Sequence, residues 1–161
     1  RYDFDTEASA DLWNVVPAND NATVTWQSPS ETILLTADEA DPRLSRKSTP
    51  ASPVSFDPAV YRYVRCRMKV NDFGADRYDW QGSFYWYRES DAPSFVASRC
   101  HRALGGRPDF EQMGNPWHLL TWDMLGVTDW STESNIAGIR FDLLDKADTV
   151  VEIDYIRVEK E

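Results

Sequence analysis

Residues 82–89, GSFYWYRE, contain the aromatic side chains best suited to contact a ligand. Alternate side chains of an extended strand point to opposite faces, so Phe84 and Trp86 share one face and Tyr85 and Tyr87 share the other. A phenolic hydroxyl tolerates water better than a phenyl ring does, which favours the tyrosines as the outward pair. The sequence therefore predicts two neighbouring tyrosine rings on an exposed strand face.

Basic residues occupy the runs on either side of these tyrosines. In YRYVRCRMKV at 61–70, apolar residues alternate with Arg65, Arg67 and Lys69, so the basic side chains are predicted to point outward. The 94–103 run points Arg99 and His101 outward if Val96 and Cys100 belong to the core. If these strands lie side by side, and the 136–143 run joins them, one exposed sheet face carries Tyr85, Tyr87, Arg65, Arg67, Arg99 and Arg140.

Tyrosine and arginine on one exposed face suit a carbohydrate. Sugar rings present an apolar CH surface that stacks on aromatic planes, while a guanidinium group donates to hydroxyls or grips a carboxylate or sulfate through two parallel bonds. Residues 62–107 contain nine basic and five acidic residues, a local charge of +4 in a chain of net charge −10. The prediction is a polysaccharide or oligosaccharide ligand, and the local charge makes an acidic one an option. Alternatively, the arginines form a solvated face paired with neighbouring acids, or a face covered by another part of the parent protein.

Tryptophans in predicted loops form a second group of candidate residues. Trp80, Trp117 and Trp130 each lie beside turn-forming residues, so any of them could project at a tip of the fold. We expect Trp80 and Trp117 at the rim of the tyrosine–arginine face.

These residues are predicted to stand on a β-sandwich. Strand-like alternation recurs at 2–5, 22–27, 32–37, 61–71, 82–89, 94–103, 117–124, 136–143 and 150–159, with Pro, Gly, Asp and Ser clusters between the runs and no helical period. Short strands at this spacing predict an all-β fold, an antiparallel β-sandwich of the jelly-roll type. The chain, 1–161, is interpreted as one domain, and its long loop at 38–57 is expected to cross between the sheets.

Composition and spacing argue against several other classes. No apolar run approaches the ~20 residues of a membrane span, and the net charge of −10 argues against a nucleic-acid partner. Cys66 and Cys100 could be free or bridged. The chain begins with Arg1, and we interpret it as a processed piece of a longer protein.

A catalytic alternative is a small jelly-roll polysaccharide lyase or hydrolase. In such lyases arginine neutralises a uronate and tyrosine or histidine moves the proton. Tyr85, Tyr87, Arg65, Arg67 and His101 could supply that set. A glycosidase would need two carboxylates about 5 Å or about 6.5–9.5 Å apart, and the central strands offer few suitable acids.

Three segments resemble one group of proteins. The opening YDFDTEASADLW, the segment WHLLTWD at 117–123 and the closing IDYIRV at 153–158 are similar to carbohydrate-binding modules with a galactose-binding-like jelly roll, which are appended to bacterial glycoside hydrolases and polysaccharide lyases. The resemblance implies a non-catalytic, extracellular module that attaches a catalytic domain of the same parent chain to its polysaccharide. Many such modules hold a structural calcium, and the matching ligands here would be Asp5 and Asp154. A structural sandwich that only packs on a catalytic partner is a further alternative.

Overall fold

The computed structural model describes residues 2–3, 7–15, 22–39, 42–47, 53–70, 82–91, 94–101, 109–112, 116–130, 134–143 and 147–160. Within these ranges one helical turn and a series of strands follow one another: β1 (Tyr2–Asp3), α1 (Glu7–Ala10), β2 (Asn14–Val15), β3 (Ala22–Gln27), β4 (Thr32–Ala37), β5 (Arg43–Lys47), β6 (Tyr63–Val70), β7 (Ser83–Arg88), β8 (Cys100–His101), β9 (Asp109–Gln112), β10 (His118–Asp123), β11 (Ile136–Asp142) and β12 (Val150–Glu159).

Two antiparallel sheets form the two layers of a sandwich. The seven-stranded sheet has the order β3-β4-β12-β6-β10-β9, with β1 paired to β12 as well. The five-stranded sheet has the order β2-β5-β11-β7-β8. Consecutive strands repeatedly change sheet, as β4 and β5 do and as β6 and β7 do. The predicted all-β antiparallel sandwich is confirmed.

The predicted crossover between residues 38 and 57 is also found, but it contains a strand. Strand β5, with the sequence RLSRK, pairs with β11 in the five-stranded sheet, whereas β4 lies in the seven-stranded one. Its basic residues gave too weak an alternation to predict a strand. Of the predicted 94–103 strand, residues 94–99 form a loop and Cys100–His101 form β8, while residues 102–103 lie outside the described residues.

Aromatic rings fill the space between the sheets. Phe84 lies 5.1 Å from Phe141 between ring centroids, Trp86 lies 5.3 Å from Trp130, and Trp122 lies 5.4 Å from Phe141. Such tilted and edge-on contacts are the arrangements that aromatic quadrupoles favour. Trp130 is only 2% exposed, so the expectation that it could project at a tip is wrong. The buried indole still meets a partner, because its Nε1–H donates to the Tyr61 carbonyl at 2.8 Å.

Across the part of the chain that the structure describes, no helix has the length and apolar character needed to cross a membrane.

Candidate functional site

The predicted site residues lie on two opposite surfaces of the sandwich. Arg65 and Arg67 stand on β6 in the seven-stranded sheet, whereas the predicted tyrosines and Arg140 stand on β7 and β11 in the five-stranded sheet. The alternation along β6, β7 and β11 was predicted correctly, since the partners on the other parity are buried in the core, but the prediction that Tyr85 and Tyr87 are exposed is wrong. The expectation that these strands form one sheet face is wrong, because alternation fixes the face of a strand but not the sheet that the strand joins. The ligand-binding role of these residues stays a prediction.

The outer surface of the five-stranded sheet carries Tyr85 and Tyr87 in a closed cluster. Tyr85 is 9% exposed and Tyr87 only 4%. Strand pairing places Tyr87 opposite Gly138, and the ring lies so close that a Cβ on Gly138 would stand 2.0 Å from Tyr87 Cε1. Phe95 packs edge-on against Tyr87 with 5.1 Å between ring centroids. These contacts leave little ring surface for a ligand.

Arg140 completes this tyrosine cluster, which we define as Tyr85, Tyr87, Phe95, Gly138, Arg140 and Asp142. The guanidinium carbon of Arg140 lies 3.9 Å from the centroid of the Tyr85 ring. Two hydrogen bonds of 2.8 Å join its Nε and Nη2 to the carboxylate of Asp142. Two of the five N–H donors of this guanidinium are therefore engaged by Asp142, and the Arg140 side chain is only 12% exposed.

Arg99 holds the turn after β7 rather than an open face. Its guanidinium pairs with Asp91, whose carboxylate also accepts the Arg88 backbone N–H at 2.8 Å. Burial alone would raise the pKa of Asp91, but these hydrogen bonds outweigh it and lower the pKa. Arg99 thus fastens the turn at 89–91 to the segment that leads into β8.

The two residues of β8 face the opposite way from the prediction. Cys100 pairs with Tyr85 and so lies on the outer side of the five-stranded sheet, while His101 pairs with Phe84 on the core side. The prediction assumed that Val96 was in the core, but Val96 lies exposed in the preceding loop. Burial lowers the pKa of the half-buried His101.

The set proposed for a lyase is consequently dispersed. Arg65 and Arg67 lie on one outer surface, Tyr85 and Tyr87 on the other, and His101 on the core side of β8. A proton-moving group and a charge-neutralising group need a common reaction centre, and this arrangement gives them none.

A different surface brings charged and aromatic side chains together on the outer side of the seven-stranded sheet. Arg65, Arg67 and Lys69 alternate along β6, and the register with β12 sets Glu152 opposite Lys69 and Arg157 opposite Arg65. We name this surface the ion-pair face and define it by its outward residues Tyr63, Arg65, Arg67, Lys69, Trp117, Thr121, Glu152, Asp154, Tyr155, Arg157 and Glu159.

Cross-strand ion pairs connect β6 to β12 along this face. Lys69 pairs with Glu152, Arg67 with Asp154 and Arg65 with Glu159. Arg157 lies 4.0 Å from Glu159 as well. The side chains of the three main pairs are between 15% and 35% exposed, so they meet solvent without standing free in it. The ion pairs hold the hydrogen-bond donors of β6 beside the acceptors of β12 along this face.

Three half-exposed rings stand among these ion pairs. The Arg67 guanidinium lies 4.3 Å and the Lys69 ammonium 5.0 Å from the centroid of Trp117, which directly precedes β10. On the other side of β6, the guanidinium carbon of Arg157 lies 3.7 Å from the centroid of the Tyr155 ring. Tyr63 begins β6 at the other end of the face. Trp117 was predicted at the rim of the tyrosine face, but it lies here beside Arg67.

A small cavity adjoins the Tyr63 end of the ion-pair face. It has a volume of about 120 Å³ and lies between two loops, with Tyr61, Arg62 and Leu125 among its lining residues. Arg62 also makes two hydrogen bonds to the carboxylate of Asp123, at 2.6 and 2.8 Å, and these hydrogen bonds lower the pKa of Asp123. Leu125 is 70% exposed at the mouth.

The calcium ligands implied by the family resemblance, Asp5 and Asp154, stay a prediction. One oxygen of the Asp154 carboxylate, Oδ2, accepts a hydrogen bond from the Arg67 guanidinium. Within the described ranges no group of three or more His, Cys, Asp or Glu side chains is placed to hold a metal. Calcium takes six to eight oxygen ligands. Asp5 lies outside the described residues, as does Trp80.

The two cysteines are both free thiols. Cys66 points into the core from β6, whereas Cys100 lies on the outer side of the other sheet. Burial raises the pKa of the Cys66 thiol, which therefore stays protonated.

The arrangement of these two sheets is similar to that of a solved β-sandwich carbohydrate-binding module, which confirms the predicted fold. The chain is similar to CBM28, a carbohydrate-binding module specific for non-crystalline cellulose, with a TM-score of 0.55 and 10% identity over 99% of this chain and 94% of that one. It is also similar to CBM86, a low-affinity xylan-binding module from Roseburia intestinalis, with a TM-score of 0.48 and 14% identity over 94% of this chain and 92% of that one. A third similar structure is the family 29 module CBM29-2, with a TM-score of 0.49 and 11% identity over 91% of this chain and 80% of that one. No protein-family model and no curated protein sequence matches the chain.

Proposed function

We propose that this domain is a non-catalytic carbohydrate-binding module that binds a polysaccharide along the ion-pair face. The observation that carries the proposal is the contrast between the two outer surfaces. Tyr85 and Tyr87 are at most 9% exposed in the tyrosine cluster, whereas Trp117 and Tyr155 on the ion-pair face are only half-buried. The fold shared with CBM28 supports a binding role over a catalytic one.

The ion-pair face matches the chemistry of a sugar chain. Each hydroxyl of a sugar is both a donor and an acceptor, so it can bond to a guanidinium on one side and to a carboxylate on the other. Arg67 with Asp154 and Lys69 with Glu152 supply such neighbours in pairs. The seven residues from Tyr63 to Lys69 extend about 20 Å at a rise of about 3.4 Å per residue, enough for several sugar rings laid along β6.

Binding costs little side-chain conformational entropy on such a surface. Long basic side chains lose considerable rotamer freedom when a ligand immobilises them. Here the cross-strand pairs and the contacts with Trp117 and Tyr155 already restrict Arg67, Lys69 and Arg157. A preorganised surface retains more of its contact energy as affinity.

Two parts of the proposal concern the wider protein. A module of this kind keeps an attached catalytic domain close to its polysaccharide, and it works outside the cell, where such polymers are found. The resemblance of WHLLTWD and IDYIRV to modules appended to glycoside hydrolases and polysaccharide lyases supports both parts.

Affinity electrophoresis through gels containing soluble polysaccharides tests the binding surface. Truncating a ring at the centre of a binding surface costs about 1–2 kcal/mol, a factor of about 5–30 in dissociation constant. We therefore expect Trp117→Ala and Tyr155→Ala each to raise the dissociation constant obtained from the retardation by about that factor. Trp117→Phe and Tyr155→Phe keep a ring and are the matched controls, with retardation closer to that of the unmodified domain.

Two further variants locate the site if the first pair does not. Tyr85→Ala combined with Tyr87→Ala reports on the tyrosine cluster, and Leu125→Ala reports on the cavity at the end of the sandwich. We expect neither to change the affinity of folded protein. If Trp117→Ala and Tyr155→Ala leave retardation unchanged, the ion-pair face is not the binding surface. If no polysaccharide retards the unmodified domain, the alternative of a structural sandwich that packs on a catalytic partner takes its place.

A further inference from the structure

We infer that the glycan bound by this domain is uncharged, an inference that rests on the proposed function of the ion-pair face. The basic segment at 62–107 is +4 by sequence and favoured an acidic ligand as one option. The structure places a carboxylate beside each basic side chain of this segment that it describes. These pairs are Arg62–Asp123, Arg65–Glu159, Arg67–Asp154, Lys69–Glu152, Arg88–Asp129 and Arg99–Asp91.

Most of the compensating acids are distant in sequence. Glu152, Asp154 and Glu159 come from β12, more than eighty residues after β6. The local excess of positive charge in the sequence is therefore cancelled when β12 pairs with β6 in the sheet. On the ion-pair face, four cationic side chains stand among three carboxylates, within a chain of net charge −10.

A negatively charged glycan would bind such a face poorly. To bind the guanidinium of Arg65 or Arg67, its carboxylate or sulfate would have to displace Glu159 or Asp154, or approach that carboxylate within a few ångströms. A neutral glycan meets no such conflict, since its hydroxyls donate to the carboxylates and accept from the cations. Interactions of like charges at this range act through partly exposed groups, so salt screens them. The ion-pair face thus discriminates by charge as well as by shape.

Paired polysaccharides that share a backbone test this inference on the unmodified domain. The probes are hydroxyethylcellulose against carboxymethylcellulose, and highly methyl-esterified against de-esterified polygalacturonate, together with a panel of neutral mannan, xylan and galactan and of anionic alginate and sulfated galactan. We expect the tightest ligand of the panel to be neutral, and its anionic counterpart to bind at least about fivefold more weakly at low ionic strength. Between 50 and 500 mM NaCl, affinity for the neutral ligand should change by less than about twofold, because few counterions are displaced.

A substitution that removes one charge while keeping the shape of the side chain sharpens the test. Asp154→Asn frees the Arg67 guanidinium, and we expect it to raise the ratio of anionic to neutral binding by about two- to fivefold, the range of an exposed ion pair. Glu7→Gln on α1 changes the net charge equally but lies off the ion-pair face, and the ratio should stay unchanged.

The outcomes separate this inference from the proposed function. If an anionic polymer is the tightest ligand, or if its binding collapses with salt while no neutral polymer binds, the domain is a carbohydrate-binding module and the inference is wrong. If no polymer of either charge is retarded, the proposed function fails and this inference fails with it. Equal shifts in Asp154→Asn and Glu7→Gln would show that net charge, rather than the ion-pair face, sets the preference.

Discussion

Substitution of Gly138 by alanine tests whether the tyrosine cluster is a packed structural surface. A Cβ on Gly138 would lie 2.0 Å from Tyr87 Cε1, 2.3 Å from Cζ and 2.7 Å from the phenolic oxygen. These distances are far below van der Waals contact, so the ring must move. Tyr87 is 4% exposed and held by Phe95, and it has no vacant space to enter without disturbing the cluster.

The expected cost follows from this overlap. Overpacking a well-filled site costs about 1–3 kcal/mol, and removing a glycine from a strand recovers about 0.5–1 kcal/mol at most. A net loss of about 1–2 kcal/mol is therefore expected for Gly138→Ala. In a domain of this size, each kcal/mol lowers the melting temperature by about 2–4 °C.

A double-mutant cycle identifies the cause of this loss. Tyr87→Ala destabilises the domain, but it also deletes the three atoms that the new Cβ would strike. In the Tyr87→Ala background, Gly138→Ala should cost nothing or stabilise slightly, which gives a coupling of about 1–3 kcal/mol between the two sites. Urea unfolding of the four proteins at fixed pH measures it.

Gly126 provides the matched control. Its φ is +76° and a Cβ added there would have nothing within 4 Å, so Gly126→Ala costs about 1–2 kcal/mol of backbone strain alone. That cost should be the same with or without Tyr87→Ala. Additive effects of Gly138→Ala and Tyr87→Ala, within about 0.5 kcal/mol, would refute the packing argument. Loss of polysaccharide binding in Gly138→Ala at unchanged stability would move the ligand to the tyrosine cluster.

Three further predictions concern pH, thiols and metal. Arg62 lowers the pKa of Asp123, so this pair stabilises the fold above the ordinary aspartate pKa of about 3.9, and its contribution is lost as pH falls through the lowered value. The difference in melting temperature between the unmodified domain and Arg62→Ala should therefore be largest near neutral pH and smaller in acid. A difference that does not change with pH would contradict this prediction. A maleimide should label Cys100 in the native domain and reach the buried Cys66 only on unfolding; labelling of Cys66 first, read by peptide mass, would overturn the assigned strand faces. Because one oxygen of Asp154 is bound to Arg67, we expect EDTA to leave the melting temperature unchanged, whereas a clear fall would support the calcium site implied by the family resemblance.

The sequence could predict the fold class and the facing of most strands, because both depend on local alternation. The assignment of strands to sheets could not be predicted in this way. β6 and β7 both alternate clearly, yet they lie in different sheets, and this separates Arg65 and Arg67 from Tyr85 and Tyr87. Alternation also failed where the strand was short, since β8 has two residues and its facing was deduced from Val96, which lies in a loop.

The ion-pair face left a signal in the sequence that alternation alone did not reveal. Basic residues at every second position of β6 and the acids Glu152 and Asp154 on β12 have complementary charge at the same spacing. Opposite charges that face each other across two strands stabilise a sheet, and Glu152 opposite Lys69 is such a pair, although Arg157 stands opposite Arg65. Comparison of charge patterns between runs could have paired them from the sequence alone.

A β-bulge in β12 places Tyr155 on the ion-pair face, whereas strict alternation along the strand would have placed this residue in the core. Ile153 pairs with Met68 and Tyr155 pairs with Arg67, so Asp154 is the extra residue. Without the bulge, Asp154 would stand opposite Arg67, Tyr155 would enter the core and Ile156 would face solvent. With it, Ile156 is fully buried, while the Asp154 carboxylate binds the Arg67 guanidinium and the Tyr155 ring lies on the same surface. One inserted residue thus places both an acceptor and a ring beside Arg67, and deletion of Asp154 should remove the ion pair while leaving Tyr155 opposite Arg67 on the surface and Ile156 in the core.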